Sequence, residues 1–243
     1  MNRFFLGLVI VVGCFVAFFL LTKEYAELPS ESTQEKEQNT IAIDTGKGNY
    51  SHPKVPYEIT QPSLNKLYQC NINSNKKIYV SEDKIILNVE IKNNSTQNVS
   101  FIRSIDGSDT KIKLPFCLFV IQKENQKPQF YGFMGCGNVL SLQPSDFIDI
   151  GINESFSPFV EESTFSAFGE IIGNKIALHR SFFDSVGKYK IQFIYTTESD
   201  NINDFLGYHL ESYSLEDLEN LEKELEKVPR VQLYSNILEI ELK

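Results

Sequence analysis

The chain contains no tryptophan, three histidines, two methionines and four cysteines in 243 residues. Each scarcity narrows what it can do. No H-E-x-x-H, G-x-S-x-G or glycine-rich phosphate loop occurs, so the usual sequence signatures of zinc proteases, serine hydrolases and nucleotide enzymes are missing. There is no C-x-x-C pair to support thiol redox chemistry. Basic residues are also short: 23 Lys and Arg face 32 Asp and Glu, for a net charge of −9. The first 23 residues hold only Arg3 and Lys23 as charges, so the body beyond them is more acidic still. Nucleic acid is thereby excluded as a partner, because phosphate binding rests on clustered Lys and Arg. Close docking of the body on an anionic lipid surface is disfavoured for the same reason, and the acidic surface favours a soluble, monomeric body.

What is present begins with residues 4–21, an uninterrupted apolar run between Arg3 and Lys23-Glu24. As a helix rising about 1.5 Å per residue it reaches roughly 27 Å, close to the hydrocarbon thickness of a bilayer. The expectation is an uncleaved membrane anchor over residues 1–23 with the body outside the cytoplasm. Two alternatives remain: a lipoprotein modified at Cys14 after Val11-Val12-Gly13, and a cleaved signal peptide. Residues 24–62 are polar, then rich in glycine and proline. They cannot offset their own ordering entropy by burial and read as a flexible tether, holding the body on the order of 30 Å from the membrane.

From residue 63 to 243 the pattern is mainly β. Tyr189, Ile191, Phe193 and Tyr195 alternate with polar residues, as do Leu238, Ile240 and Leu242 with Glu239 and Glu241. This period of two marks strands with one face on a core, and the pair predicts the last two strands of an antiparallel sheet. Residues 67–72, 77–80, 84–92, 99–105, 129–133, 139–142 and 147–152 add short strands between turn signals, while residues 116–122 are apolar enough to be buried on both faces. With 19 Phe and no Trp, the core is expected to be built on phenylalanine. Two helical insertions interrupt the strands. The first opens at Ser157-Pro158, carries Phe165, Phe168 and Ile172 at helical spacing, and closes at Gly173-Asn174. The second is capped by Ser214 with Asp217 and stopped by Pro229. It places Leu215, Leu218, Leu221 and Leu225 on one stripe, with Glu216, Glu219, Glu222 and Glu226 on its outer face.

The segments Leu140-Ser141-Leu142-Gln143-Pro144, Gly187-Lys188-Tyr189-Lys190-Ile191 with Tyr195, and Ser235-Asn236 before the final strand resemble a recurrent immunoglobulin-like domain of bacterial secreted and membrane-anchored proteins. The resemblance covers residues 76–243 less the two insertions. It implies an antiparallel immunoglobulin-like β-sandwich and transfers no catalytic residue. The helical insertion before the last strand departs from that pattern.

Few residues carry chemistry. A hairpin centred between Gln126 and Lys127 sets Cys117 opposite Cys136, at a Cα separation of about 4.5–5.5 Å that suits a disulfide. Closing that loop adds about 3 kcal/mol in the chain-entropy model. Pairing of either with Cys70 is the alternative. In the acidic loop 198–204, Asp200, Asn201, Asn203 and Asp204 offer hard oxygens of the kind Ca²⁺ takes, without the glycine and terminal glutamate of an EF-hand. No other metal site and no organic cofactor is indicated. The functional expectation is a non-catalytic, membrane-anchored binding module facing the periplasm or cell exterior. It would engage a protein partner through Glu216, Glu219, Glu222 and Glu226, as an inhibitor, immunity or accessory protein of the bacterial envelope. The alternative is an extracytoplasmic hydrolase on the sandwich loops around His179 or His209.

Overall fold

The computed structural model describes residues 58–107, 113–131, 140–159, 168–207 and 213–243. Strand alternation decides most of it. The first sheet is formed by β1 (Tyr68–Ser74), β3 (Ile85–Asn93), β10 (Lys175–Leu178) and β9 (Gly169–Ile172) in that order, with β8 (Ser155–Phe156) also pairing β3. The second runs β2 (Ile78–Tyr79), β13 (Leu238–Leu242), β11 (Gly187–Thr196), β5 (Phe116–Lys123) and β6 (Gln129–Tyr131), with β12 (Gln232–Tyr234) extending the β13 side of β11. A two-stranded sheet joins β4 (Val99–Ile102) to β7 (Phe147–Ile150). Among these strands the pairings are antiparallel except that of β2 with β13.

The two larger sheets contribute to one apolar layer, an arrangement compatible with a β-sandwich. Ile85, Leu87, Val89 and Ile91 of β3 share it with Cys117, Phe119 and Ile121 of β5 and with Tyr189, Ile191, Phe193 and Tyr195 of β11. Phenylalanine does the work that tryptophan cannot: Phe119 packs 4.9 Å from Phe193 and edge-on to Phe168 at 5.1 Å. The hydroxyl of buried Tyr195 donates to the Ile102 carbonyl at 3.1 Å, which satisfies the one polar atom its burial would strand. Asn236 pins the open side of β1. Its Oδ1 accepts the Ile72 N–H at 2.8 Å and its Nδ2 donates to the Ile72 carbonyl at 3.0 Å.

Residues 116–121 are buried throughout, as their unbroken apolar run predicts, and this creates a second core. On the outer face of the second sheet, Phe116, Leu118, Val120 and Ile194 need cover. They receive it from α1 (Asn203–Leu206) and α2 (Leu215–Glu226), which contribute Phe205, Leu206, Leu221 and Leu225. The α2 helix therefore lies over a sheet face. The expected capping box is present: the Asp217 N–H donates to Ser214 Oγ at 3.1 Å, and Asp217 Oδ2 accepts the Ser214 N–H at 3.0 Å.

Three expectations are corrected. Gly173-Asn174 closes no helix; it is the two-residue turn of the β9–β10 hairpin, with Ile172 opposite Lys175 and Gly173 at φ +64°. A helical spacing of Phe168 and Ile172 was outweighed by a turn dipeptide that selects a hairpin. Of the expected strand 139–142, the described residues 140–142 form none. Leu215 leaves the apolar stripe and is 60% exposed, the stripe continuing instead from Leu225 to Val228. Leu225→Ala is expected to cost about 2–5 kcal/mol in denaturant unfolding, while Leu215→Ala stays within about 0.5 kcal/mol. Equal losses would contradict this placement of α2.

Candidate functional site

The outer face of the second sheet is divided. One half lies under α2; the other is open and forms a concavity of about 650 Å³ lined by Lys77, Gln122, Lys188, Lys190, Glu239 and Glu241 among others. The volume suits a small ligand, but the register explains the charges. Lys188 stands opposite Glu241 and Lys190 opposite Glu239, with Lys190 Nζ 3.9 Å from Glu239 Oε1. Such exposed pairs neutralise one another and contribute up to about 1 kcal/mol each. The concavity thus carries both charges without a dominant sign, with Ile78, Tyr189 and Ile240 also in its lining.

The α2 helix presents the opposite case. Leu215, Glu219, Glu222 and Glu226 follow at intervals of four, three and four residues, so they stand within about 60° of one another on the helix. All four are exposed, as is Glu216 beside them. Among the described residues none of the four glutamates is in an ion pair, whereas Glu224 is held by Lys227 at 2.7 Å. The result is an uncompensated acidic stripe with one exposed leucine at its N-terminal end. Asp217 differs in role: the Ser214 hydroxyl and N–H hold its carboxyl below the usual range, as expected of a capping acid. Beneath the first turn of the helix, the Tyr213 hydroxyl lies 3.1 Å from the Leu142 carbonyl and 3.2 Å from that of Leu206, tying the helix entry to two loops.

A buried cation lies in the same region. Lys113 is 2% exposed, and its Nζ donates to Ser104 Oγ at 2.9 Å and to the Leu140 carbonyl at 3.0 Å. Burial lowers its pKa to about 8, opposed by attraction to Asp146 and Asp106. Its backbone N–H donates to Asp106 Oδ2 at 3.3 Å, and the Asp106 carbonyl accepts from the Cys117 N–H at 2.9 Å. The sequence concealed this residue, since a lone lysine in a charged segment reads as solvated.

The residues singled out from the sequence fall in different places. Asp200 and Asn201 lie in the loop entering α1 and Asn203 and Asp204 in its first turn, but several oxygens there are already engaged. Ser199 Oγ donates to Asp204 Oδ2 at 2.5 Å and accepts the Asn201 N–H at 3.1 Å, while Asn201 Oδ1 accepts the Asn203 N–H at 3.1 Å. Among the described residues no three His, Cys, Asp or Glu side chains gather as a metal site. Cys70 and Cys117 are free, buried thiols, and desolvation pushes both well above the usual thiol range. Cys136 lies outside the described residues. The β5–β6 hairpin is centred on Asn125, with Phe119 opposite Tyr131, and not between Gln126 and Lys127 as expected, because Asn125 takes the left-handed conformation at φ 63°. His179 is exposed with its ring edge-on to Phe182 at 5.6 Å, and His209 lies outside the described residues. Residues 4–21 also lie outside them, and no helix among the described residues is long and apolar enough to cross a membrane.

The lowered pKa of Lys113 gives a signed prediction. The unfolded chain binds this proton up to the ordinary lysine pKa and the folded chain only to about 8, so stability rises with pH across that window. Relative to Lys113→Met, the natural protein should gain on the order of 3 kcal/mol between pH 7 and pH 10.5. Parallel pH dependences in denaturant melts of the two proteins would refute a buried charged lysine. Comparison with family models, with curated proteins and with solved structures returned no match.

Proposed function

We propose that this chain is a non-catalytic binding module that engages a protein partner in the bacterial envelope, as an inhibitor, immunity or accessory protein. In this reading residues 4–21 anchor it in a membrane, residues 24–62 are the tether, whose end at Ile59 and Thr60 is held against the body, and the body faces the periplasm or cell exterior. The body is an immunoglobulin-like β-sandwich. That assignment is supported by Tyr189, near the start of its strand, whose hydroxyl lies 2.6 Å from the carbonyl of Ser185 four residues upstream and 2.8 Å from Asp184 Oδ1. A tyrosine reaching back in this way is a recurrent corner of immunoglobulin-like folds.

The observation that carries the functional reading is the exposed stripe of Leu215, Glu219, Glu222 and Glu226 on α2. The helix already has its structural task on the other face, where Leu221 and Leu225 close the second core. Nothing in that task requires the outer glutamates to go without lysine partners. An uncompensated acidic face with a single apolar anchor suits a partner surface that is basic around a shallow apolar pocket. Such complementarity contributes to on-rate and specificity more than to affinity, and it weakens as salt rises.

The test is recovery of a partner by affinity capture from intact membranes. Combined Glu219→Lys, Glu222→Lys and Glu226→Lys should leave the melting temperature nearly unchanged, because each side chain is exposed. The same variant should reduce recovery of the partner at least about tenfold, with the natural protein losing it progressively at high salt. A stoichiometric partner recovered equally by both proteins would move the interface away from α2. Absence of any stoichiometric partner would remove the proposal's basis.

A further inference from the structure

Gln192 is a buried polar residue within β11. It lies on the strand's outer face between Lys190, which borders the open concavity, and Ile194, which is covered by α2, yet it is fully buried. Its amide is spent on Thr60 and Ser235. Oε1 accepts the Thr60 N–H at 3.0 Å, while Nε2 donates to the Thr60 carbonyl at 3.0 Å and to the Ser235 carbonyl at 2.9 Å. An amide that takes both the N–H and the C=O of one residue does for it what a neighbouring β-strand would do.

Three residues further on, the same segment meets a strand edge. The Ser63 N–H donates to the Tyr234 carbonyl at 3.1 Å, and the Tyr234 N–H donates to Ser63 Oγ at 2.7 Å. Ser63 Oγ also lies 3.3 Å from the Gln232 carbonyl. In β12, Gln232 and Tyr234 thus turn these groups away from β11, which makes this side the outer edge of the strand. Ile59 packs against the apolar cluster beneath α2. Between these contacts Pro62 has no N–H, so the segment cannot form a regular ladder and is held at separate points. Recognition here depends on backbone, with one apolar and one hydroxyl side chain read at positions 59 and 63.

We propose that the outer edge of β12, the Gln192 amide and the apolar seat of Ile59 form a strand-addition site for an extended peptide. Residues 59–63 occupy this site in cis, and once they leave it accepts a partner segment with an apolar residue, a backbone amide next to it, and a hydroxyl three residues after that amide. The site is distinct from the acidic stripe of α2 and does not depend on it. Strand addition of this kind draws affinity from main-chain bonds and specificity from alternate side-chain seats. The cis segment competes at high effective concentration, so an outside peptide enters only when the strap yields.

The test uses the full-length chain carrying Thr60→Pro, which removes the N–H that Gln192 accepts, titrated with a synthetic peptide of residues 58–66. Near-UV circular dichroism and a melting curve check that the variant is folded. Ser63→Ala, which removes the acceptor of the Tyr234 N–H, opens the same site by a second route should Thr60→Pro fail to fold. The opened chain should bind the peptide saturably and at least about tenfold more tightly than the natural chain does. The same peptide N-methylated at Thr60 should bind at least about tenfold more weakly. A folded, opened chain that takes up no peptide would overturn the proposal, as would equal binding of the methylated peptide. Concentration-dependent dimerisation without peptide uptake would assign the site to a second copy and overturn it equally.

Discussion

The structure depends on β5 being apolar on both faces. Phe119 and Ile121 enter the layer shared with the first sheet, and Phe116, Leu118 and Val120 face the other way. A sheet carrying such a strand cannot leave its outer face in water, because each large side chain gains about 1.5–3 kcal/mol from burial. The chain meets this by inserting α1 and α2 between β11 and β12, so that β11 is separated in sequence from its partners β12 and β13 by their own cover. The helix is consequently part of the fold before it is anything else. Its acidic side is the part that packing leaves undetermined.

That division also explains why the outer face has two characters. Where β5 ends in Gln122 and Lys123, and β11 begins with Lys188 and Lys190, the strands turn polar and the cover stops. Cross-strand Lys–Glu pairs then suffice, and the open concavity is their surface. Gln192 sits at the border, too deep for water and bonded to Thr60. The place where the helix cover ends is therefore also where the segment entering from the tether is clamped.

Much of this was legible in the sequence wherever a single period dominated. The alternation in residues 189–195 and 238–242 placed β11 and β13 as antiparallel neighbours, and the unbroken run at residues 116–121 identified a strand buried on both faces. Ser214, Asp217 and Pro229 located α2 because capping chemistry is local. Errors arose where two local signals competed or where the deciding contact was distant. Phe168 and Ile172 fit a helical spacing, but Gly173-Asn174 is stronger as a hairpin turn. Leu215 matched the helical stripe by composition, although its position places it about 80–120° from the buried leucines. Lys113 and Gln192 gave no signal, since each is a polar residue whose burial depends on partners far away in the chain: Leu140 and Thr60. The four glutamates of α2 were legible as an exposed face, and the structure adds that Leu215 stands among them.

The central claim is that the outer face of α2 is the surface that meets a partner, while the sheets beneath are its scaffold. Site-specific photocrosslinking in intact cells tests it most directly, with a photoreactive residue placed at Glu222 on the stripe and, for comparison, at Lys175 on the β9–β10 hairpin. The account predicts one discrete adduct from position 222, lost when Glu219 and Glu226 are reversed to lysine, and none from position 175. A discrete adduct from position 175 with none from position 222 would contradict it.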